Sequence, residues 1–273
     1  MVTNYEENRK GLSKKESLLL SRLSSKGKRI IEIGDIEKTL ETNYDNAKKI
    51  ASNLKKKGWL DRLQRGKYVI IPLEAGEKGI FTEHEFLIAS ELVSPYYIGF
   101  LSALNFHDLT DQTPISVFAA TTKRANNRTI HDIPYHFVTL KEEKFFGTKE
   151  YSVSGKNITI SDPEKTLIDC LDHVEYSGGI EQILNGLKKE TLDLEKLVSY
   201  ALKIGNGAAI KRLHYLLDLL DREIPENMER QLKGNYSNSY SLLDPTKPDK
   251  GGYSSEWMLR INVSQSDIQG DAY

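Results

Sequence analysis

The chain is poor in the features that would assign it quickly. It has one cysteine, Cys170, in 273 residues, which excludes an internal disulfide framework and any multi-cysteine metal site and favours a reducing compartment. Its apolar runs, such as Phe86–Ala89 and Tyr96–Leu101, fall far short of the ~20 residues needed to span a bilayer. The first residues, Met1-Val-Thr-Asn-Tyr-Glu-Glu, lack the apolar core of a signal peptide. A cytoplasmic protein without a membrane partner is expected. Charge of one sign is also missing overall, with 38 Lys and Arg against 39 Asp and Glu. That balance hides an asymmetry. Residues 1–80 carry 18 basic and 11 acidic side chains, a net +7, and residues 81–273 carry 20 and 28, a net −8. A basic segment joined to an acidic one suggests a polyanion as partner of the first and a different task for the second.

The basic segment reads as helix, short helix, basic helix and hairpin. Ser13 and Glu16 have the spacing of a capping box ahead of Leu19, Leu20 and Leu23, which predicts a helix over 13–25. Ile30, Ile31 and Ile33 form a short β-branched run, followed by a helical segment at Asp35–Leu40. The third helix, Asp45–Lys57, places Ala47, Ile50, Ala51 and Leu54 on one stripe and its lysines on other faces. Two β-rich runs, Trp59–Leu63 and Lys67–Ile71, flank Gln64-Arg65-Gly66. This order predicts a winged helix-turn-helix over residues 1–75, with double-stranded DNA as its partner. Lys48, Lys49, Lys55, Lys56, Arg65 and Lys67 are the expected phosphate contacts. Asn43, Tyr44 and Asn46, at the start of the third helix, are candidate base readers, since asparagine can pair bidentately with adenine.

Residues 72–80 read as a linker. Beyond it, residues 81–273 predict a larger mixed domain: helices at Thr82–Val93 and Ile98–Phe106, a mixed sheet to about 160, helices over about 162–221, and an irregular tail. The expected fold class is therefore α+β. Ser161-Asp162-Pro163-Glu164 is a strand-to-helix junction, with Asp162 suited to the N-cap, Pro163 to the first helical position and Glu164 to the first turn. Lys123 and Arg124, with Arg128, form a second basic cluster in a polar loop after a strand, facing nucleic acid, a protein partner or solvent.

No catalytic, cofactor or metal site is expected. The six histidines show no His-x-Glu, His-x₃-His or Cys-x₂-Cys spacing, and neither a nucleophile elbow nor a phosphate loop occurs. Cys170 lies on an apolar helix face and reads as a buried thiol. Asp162/Glu164 and Asp169/Asp172 are better explained by capping and a solvated helix face than by magnesium binding.

Three stretches carry a family resemblance. They are Tyr97-Ile-Gly-Phe-Leu-Ser-Ala-Leu-Asn-Phe-His-Asp-Leu-Thr-Asp-Gln with Val117-Phe-Ala-Ala-Thr-Thr-Lys-Arg, then Ile160-Ser-Asp-Pro-Glu-Lys-Thr-Leu-Ile-Asp-Cys, then Ala201-Leu-Lys-Ile-Gly-Asn-Gly-Ala-Ala-Ile-Lys-Arg-Leu-His-Tyr-Leu-Leu. Over roughly residues 10–265 the chain resembles the AbiEi antitoxins of AbiE-type (type IV) abortive-infection toxin–antitoxin systems. The resemblance implies an N-terminal winged helix-turn-helix that represses its own promoter by binding repeats there. It also implies a C-terminal antitoxin domain that neutralises a nucleotidyltransferase-like toxin of the same operon, directly or indirectly. It carries no catalytic residue. The alternative is a winged-helix regulator whose C-terminal domain senses a ligand or acts enzymatically on a nucleotide or nucleic acid.

Overall fold

The computed structural model describes residues 9–76, 84–153 and 155–264. The expectations that fall on residues 1–8, on 77–83 of the linker and next helix, and on the tail beyond 264 lie outside the described residues. Within them the chain is a mixed α+β protein of ten α-helices and three sheets, and it divides into two units between Leu92 and Val93.

The first unit contains α1 (Lys14–Ser25), β1 (Ile30–Glu32), α2 (Ile33–Leu40), α3 (Tyr44–Lys56), β2 (Leu60–Gln64), β3 (Lys67–Ile70) and α4 (Glu85–Leu92). Helix α1 starts where its capping box stands: the Glu16 N–H donates to Ser13 Oγ, and the Ser13 N–H donates to Glu16 Oε2 at 2.7 Å. Asn43 caps α3 in the same way, its Oδ1 accepting from the Asn46 N–H at 3.0 Å. Strands β2 and β3 form the expected hairpin, and β1 adds to its far side, giving the order β1-β3-β2. Ile30 and Ile31 belong to that strand, whereas Ile33 opens α2. Leu19, Ile31, Ile36, Ala47, Ala51, Leu54, Leu60 and Tyr68 close one core beneath the three helices. Burying a side chain such as Leu54 contributes about 2 kcal/mol. The helix expected to open the second domain is α4, and it groups with the first unit.

The second unit opens with β4 (Tyr97–Ile98), α5 (Phe100–Phe106), β5 (Val117–Thr121), β6 (Arg128–Ile130), β7 (Ile133–Thr139), β8 (Thr148–Val153) and β9 (Lys156–Ser161). Its six strands run in the order β6-β7-β5-β4-β9-β8. The β5–β7 and β4–β9 pairs are parallel and the others antiparallel. Helices α6 (Pro163–Asp172), α7 (Ile180–Leu187), α8 (Leu194–Ile204) and α9 (Gly207–Leu219) follow. Helix α6 is central, packing against α5, α7, α8 and α9, with every residue from Glu164 to Leu171 buried.

Up to residue 264 the segment expected to be an irregular tail carries regular elements instead. It holds α10 (Glu226–Gly234) and a small sheet of β10 (Ser241–Leu242), β11 (Gly252–Ser254) and β12 (Leu259–Ile261), in the order β10-β12-β11. Leu259 joins the main core through this sheet. Gly251 makes the close pairing of β11 on β12 feasible. At φ +120° a Cβ there would stand 2.0 Å from the Ile261 carbonyl oxygen, so no other residue fits.

Candidate functional site

The strongest surface feature of the first unit is the face of α3 opposite its apolar stripe. At 100° per residue, burying Ala47, Ala51 and Leu54 turns Asp45, Lys49, Ser52 and Lys56 to the middle of the solvent face. Lys48 and Lys55 then lie on one flank of that face, and Asn46 and Asn53 on the other. All four lysines are exposed and, among the described residues, none is in an ion pair. Arg65, at the hairpin tip, is likewise exposed and unpaired, and Tyr44 is 54% exposed at the first position of α3. Five of the expected cations therefore stand open to solvent, four on α3 and one at the hairpin tip.

Two expected contacts are placed differently. Asn43 uses its Oδ1 to cap α3, so it cannot offer the oxygen–nitrogen pair that bidentate adenine recognition requires. Lys67 points away from the hairpin tip. Its ammonium lies 3.2 Å from Glu32 and 3.0 Å from Glu91 and also donates to the Glu91 carbonyl. Burial alone would lower its pKa, but the two carboxylates raise it above the ordinary lysine value. Lys67 keeps its charge and spends it tethering β3 to β1 and α4. The sequence reading also missed two residues. Asn53 lies two turns beyond Asn46 on the same flank, which a helical wheel reveals. Arg62 is exposed on β2 although strict alternation from the buried Leu60 would turn it inward, because the register shifts between Arg62 and Gln64.

In the second unit, Lys123 and Arg124 are exposed in the loop that leaves β5, and Arg128 is exposed at the start of the edge strand β6. The registers do not bring the three together: β5 ends with Thr121 opposite Thr139, whereas Arg128, on the edge strand, pairs with Tyr135 near the other end of β7.

The acidic motif at the start of α6 is almost fully used by internal contacts. Asp162 caps the helix, its Oδ1 accepting from the Lys165 N–H at 2.9 Å, and its Oδ2 takes the Lys196 ammonium at 3.0 Å and the Tyr200 hydroxyl at 3.2 Å. Glu164 accepts from Lys196 at 2.8 Å and from the Asp193 N–H at 3.1 Å. Ser161 and Thr166 hydrogen-bond each other at 2.7 Å, and His107 Nε2 meets the Ser161 carbonyl oxygen at the same distance. Asp169 and Asp172 are buried rather than solvated. Lys165 and Asp169 form an ion pair with 0% and 1% side-chain exposure, and the Tyr97 hydroxyl donates to Asp169 at 2.8 Å. Asp172 takes Lys144 and the Asn206 amide. Gly147, at φ +67°, lets the preceding segment lie over Lys165, whose Cβ would be 2.9 Å from an added Cβ. Cys170 is buried in this core, and burial with the neighbouring Asp169 charge pushes its thiol well up, leaving it unreactive. No group of three or more metal-ligating side chains occurs among the described residues.

The junction has a pH signature. Burial pushes the Glu164 carboxyl up, but Lys196 and the Asp193 N–H hold its ionised form and bring it below the ordinary value. Burial lowers Lys196, and its bonds to Glu164 and Asp162 outweigh that and raise it. A carboxyl whose folded pKa is depressed contributes stability above its unfolded value of ~4.3, and loses it as pH falls through the folded value. Thermal unfolding of the full chain should therefore show an acid loss of stability below pH ~4.5 that is shallower in Lys196→Gln. Equal acid limbs in the two proteins would refute the coupling.

These features define a class first: a two-unit α+β protein with an open basic helix on one unit and an internally satisfied polar junction in the other. No family model and no curated protein matches the chain. Among solved structures, that of the RV2827C protein from Mycobacterium tuberculosis shares the fold, with a TM-score of 0.67 at 14% sequence identity, covering 95% of this chain and 94% of that one. No helix among the described residues is long and apolar enough to cross a membrane.

Proposed function

We propose that the first unit is a winged helix-turn-helix that binds double-stranded DNA, and that the chain is an autorepressor and antitoxin. In this reading α2 and α3 are the helix pair, α3 enters the major groove and the β2–β3 hairpin touches the flanking backbone. The observation that carries it is the α3 surface, where Lys48, Lys49, Lys55 and Lys56 stand exposed and unpaired, with Arg65 likewise open at the hairpin tip. Lysines held for a structural purpose find carboxylates, as Lys57 does with Glu16 at 2.7 Å; these four do not. The antitoxin half rests on the AbiEi resemblance of the stretches around Tyr97, Ser161 and Gly205. The saturated junction at Asp162–Asp169 supports a binding rather than a catalytic unit, since its polar groups are already committed to one another.

The test has two arms, both with the full chain. Five phosphate contacts per chain predict that the logarithm of the affinity for promoter duplex falls against the logarithm of salt with a slope of about −4.5. A slope near zero ends the DNA assignment. Independently, co-expression should relieve the toxicity of a nucleotidyltransferase-like protein encoded beside it, and undiminished toxicity ends the antitoxin assignment.

A further inference from the structure

One side chain does not fit a surface built only for phosphates. Asp45 lies in the middle of the solvent face of α3, one turn before Lys49 and flanked by Lys48. An aspartate four residues ahead of a lysine is well placed for a helical ion pair. Yet among the described residues Asp45 is in no ion pair, with Lys49 or any other cation. It is exposed on the surface that would approach DNA.

We propose that Asp45 is a specificity-determining residue, which accepts a hydrogen bond from the exocyclic amine of a cytosine in the major groove. The proposal rests on the DNA-binding reading of the first unit. The helix dipole favours an acid in the first turn of α3, but a carboxylate is repelled by phosphate, so on a face docked against DNA it is tolerated where that face meets base edges. Asp45 occupies the second position of α3, in the N-terminal turn that reaches base edges in helix-turn-helix docking. Of the two major-groove donors, the adenine N6 amine has the N7 acceptor beside it, which repels a carboxylate, so the cytosine N4 amine is the one aspartate suits. Lys49, one turn on and on the same line, matches the O6 and N7 acceptors of a guanine. When the helix lies on the wrong sequence, Asp45 finds no amine and its charge opposes the contact the lysines favour. Affinity for non-cognate duplex is thereby held down.

The experiment is duplex selection from a random pool with full-length wild type, Asp45→Asn and Lys48→Glu/Lys49→Glu, with a thermal melt of each. Wild type should enrich sites with one invariant C·G pair. Asp45→Asn should lose the preference at that pair while keeping the rest of the site. It should also bind non-cognate duplex more tightly, so that the specific-to-non-specific ratio falls about tenfold. If Asp45→Asn selects the same site with the same ratio and only its melting temperature changes, Asp45 serves the helix dipole alone and the proposal is overturned. If the wild type shows neither salt-dependent binding nor enrichment, the DNA reading itself has failed, and this proposal falls with it.

Discussion

Reversing the charge of Lys48 and Lys49 together should abolish specific duplex binding while leaving the fold intact. Each lysine lost removes about 0.9 from the salt slope, so neutralising both as Lys48→Ala/Lys49→Ala should bring a slope of about −4.5 to about −2.7. Glutamates at the same positions add repulsion to that loss, and an affinity drop of at least about a hundredfold near 0.1 M salt is expected. Both side chains are exposed and unpaired, so their replacement breaks no described contact and exposed substitutions of this kind stay within about 0.5 kcal/mol. Filter binding or fluorescence anisotropy over a salt series checks the result, with the melting temperature as control. Undiminished affinity in a folded variant would remove α3 from the interface. The same variant should still relieve toxin growth arrest, because the antitoxin function is assigned to the other unit.

The second large effect lies far from that surface. Lys165→Met would leave the Asp169 carboxylate buried against the Tyr97 hydroxyl with its cation gone, and such losses cost about 3–5 kcal/mol. Burial already pushes the Asp169 carboxyl up, with Lys165 and Tyr97 opposing that rise, so deleting the lysine leaves burial unopposed by a cation. At about 2–4 °C per kcal/mol for a unit of this size, the melting temperature should fall by roughly 10 °C or more. Lys165→Met/Asp169→Leu should recover most of the loss, because two apolar side chains of similar volume need no compensating charge. A single variant that melts within 2 °C of wild type, or a double variant as unstable as the single, would show that water reaches the pair.

How far the chain could be read in advance depended on the range of the interactions involved. Helices α1, α3 and α6 were legible because their start signals lie within three residues of one another: Ser13 with Glu16, Asn43 with Asn46, Asp162 with Lys165. The β2–β3 hairpin was legible from a turn between two β-rich runs. The assignment of Lys67 to phosphate failed because its partners, Glu32 and Glu91, are 35 and 24 residues away in sequence. Asp169 and Asp172 were read as a solvated face because charge suggests exposure; Lys165 stands one turn before Asp169, but only folding buries that pair and brings Lys144 to Asp172. The tail was read as irregular because its strands are two or three residues long, too short to show alternation, and β10 pairs with a strand beyond the intervening β11.

By itself the sequence determined the alternation of elements, the division of charge into a basic segment and an acidic one, and the lysine-rich face of α3. These follow from periodicity, caps and composition, which act over a turn of helix or a hairpin. Tertiary structure alone decided which cations remain open. Lys57 and Lys67 are drawn into ion pairs and Lys165 is sealed in the core. Lys48, Lys49, Lys55, Lys56 and Arg65 stay unpaired. A lysine's availability depends on whether a carboxylate comes within about 4 Å of it, and that distance is set by chain segments far apart in sequence.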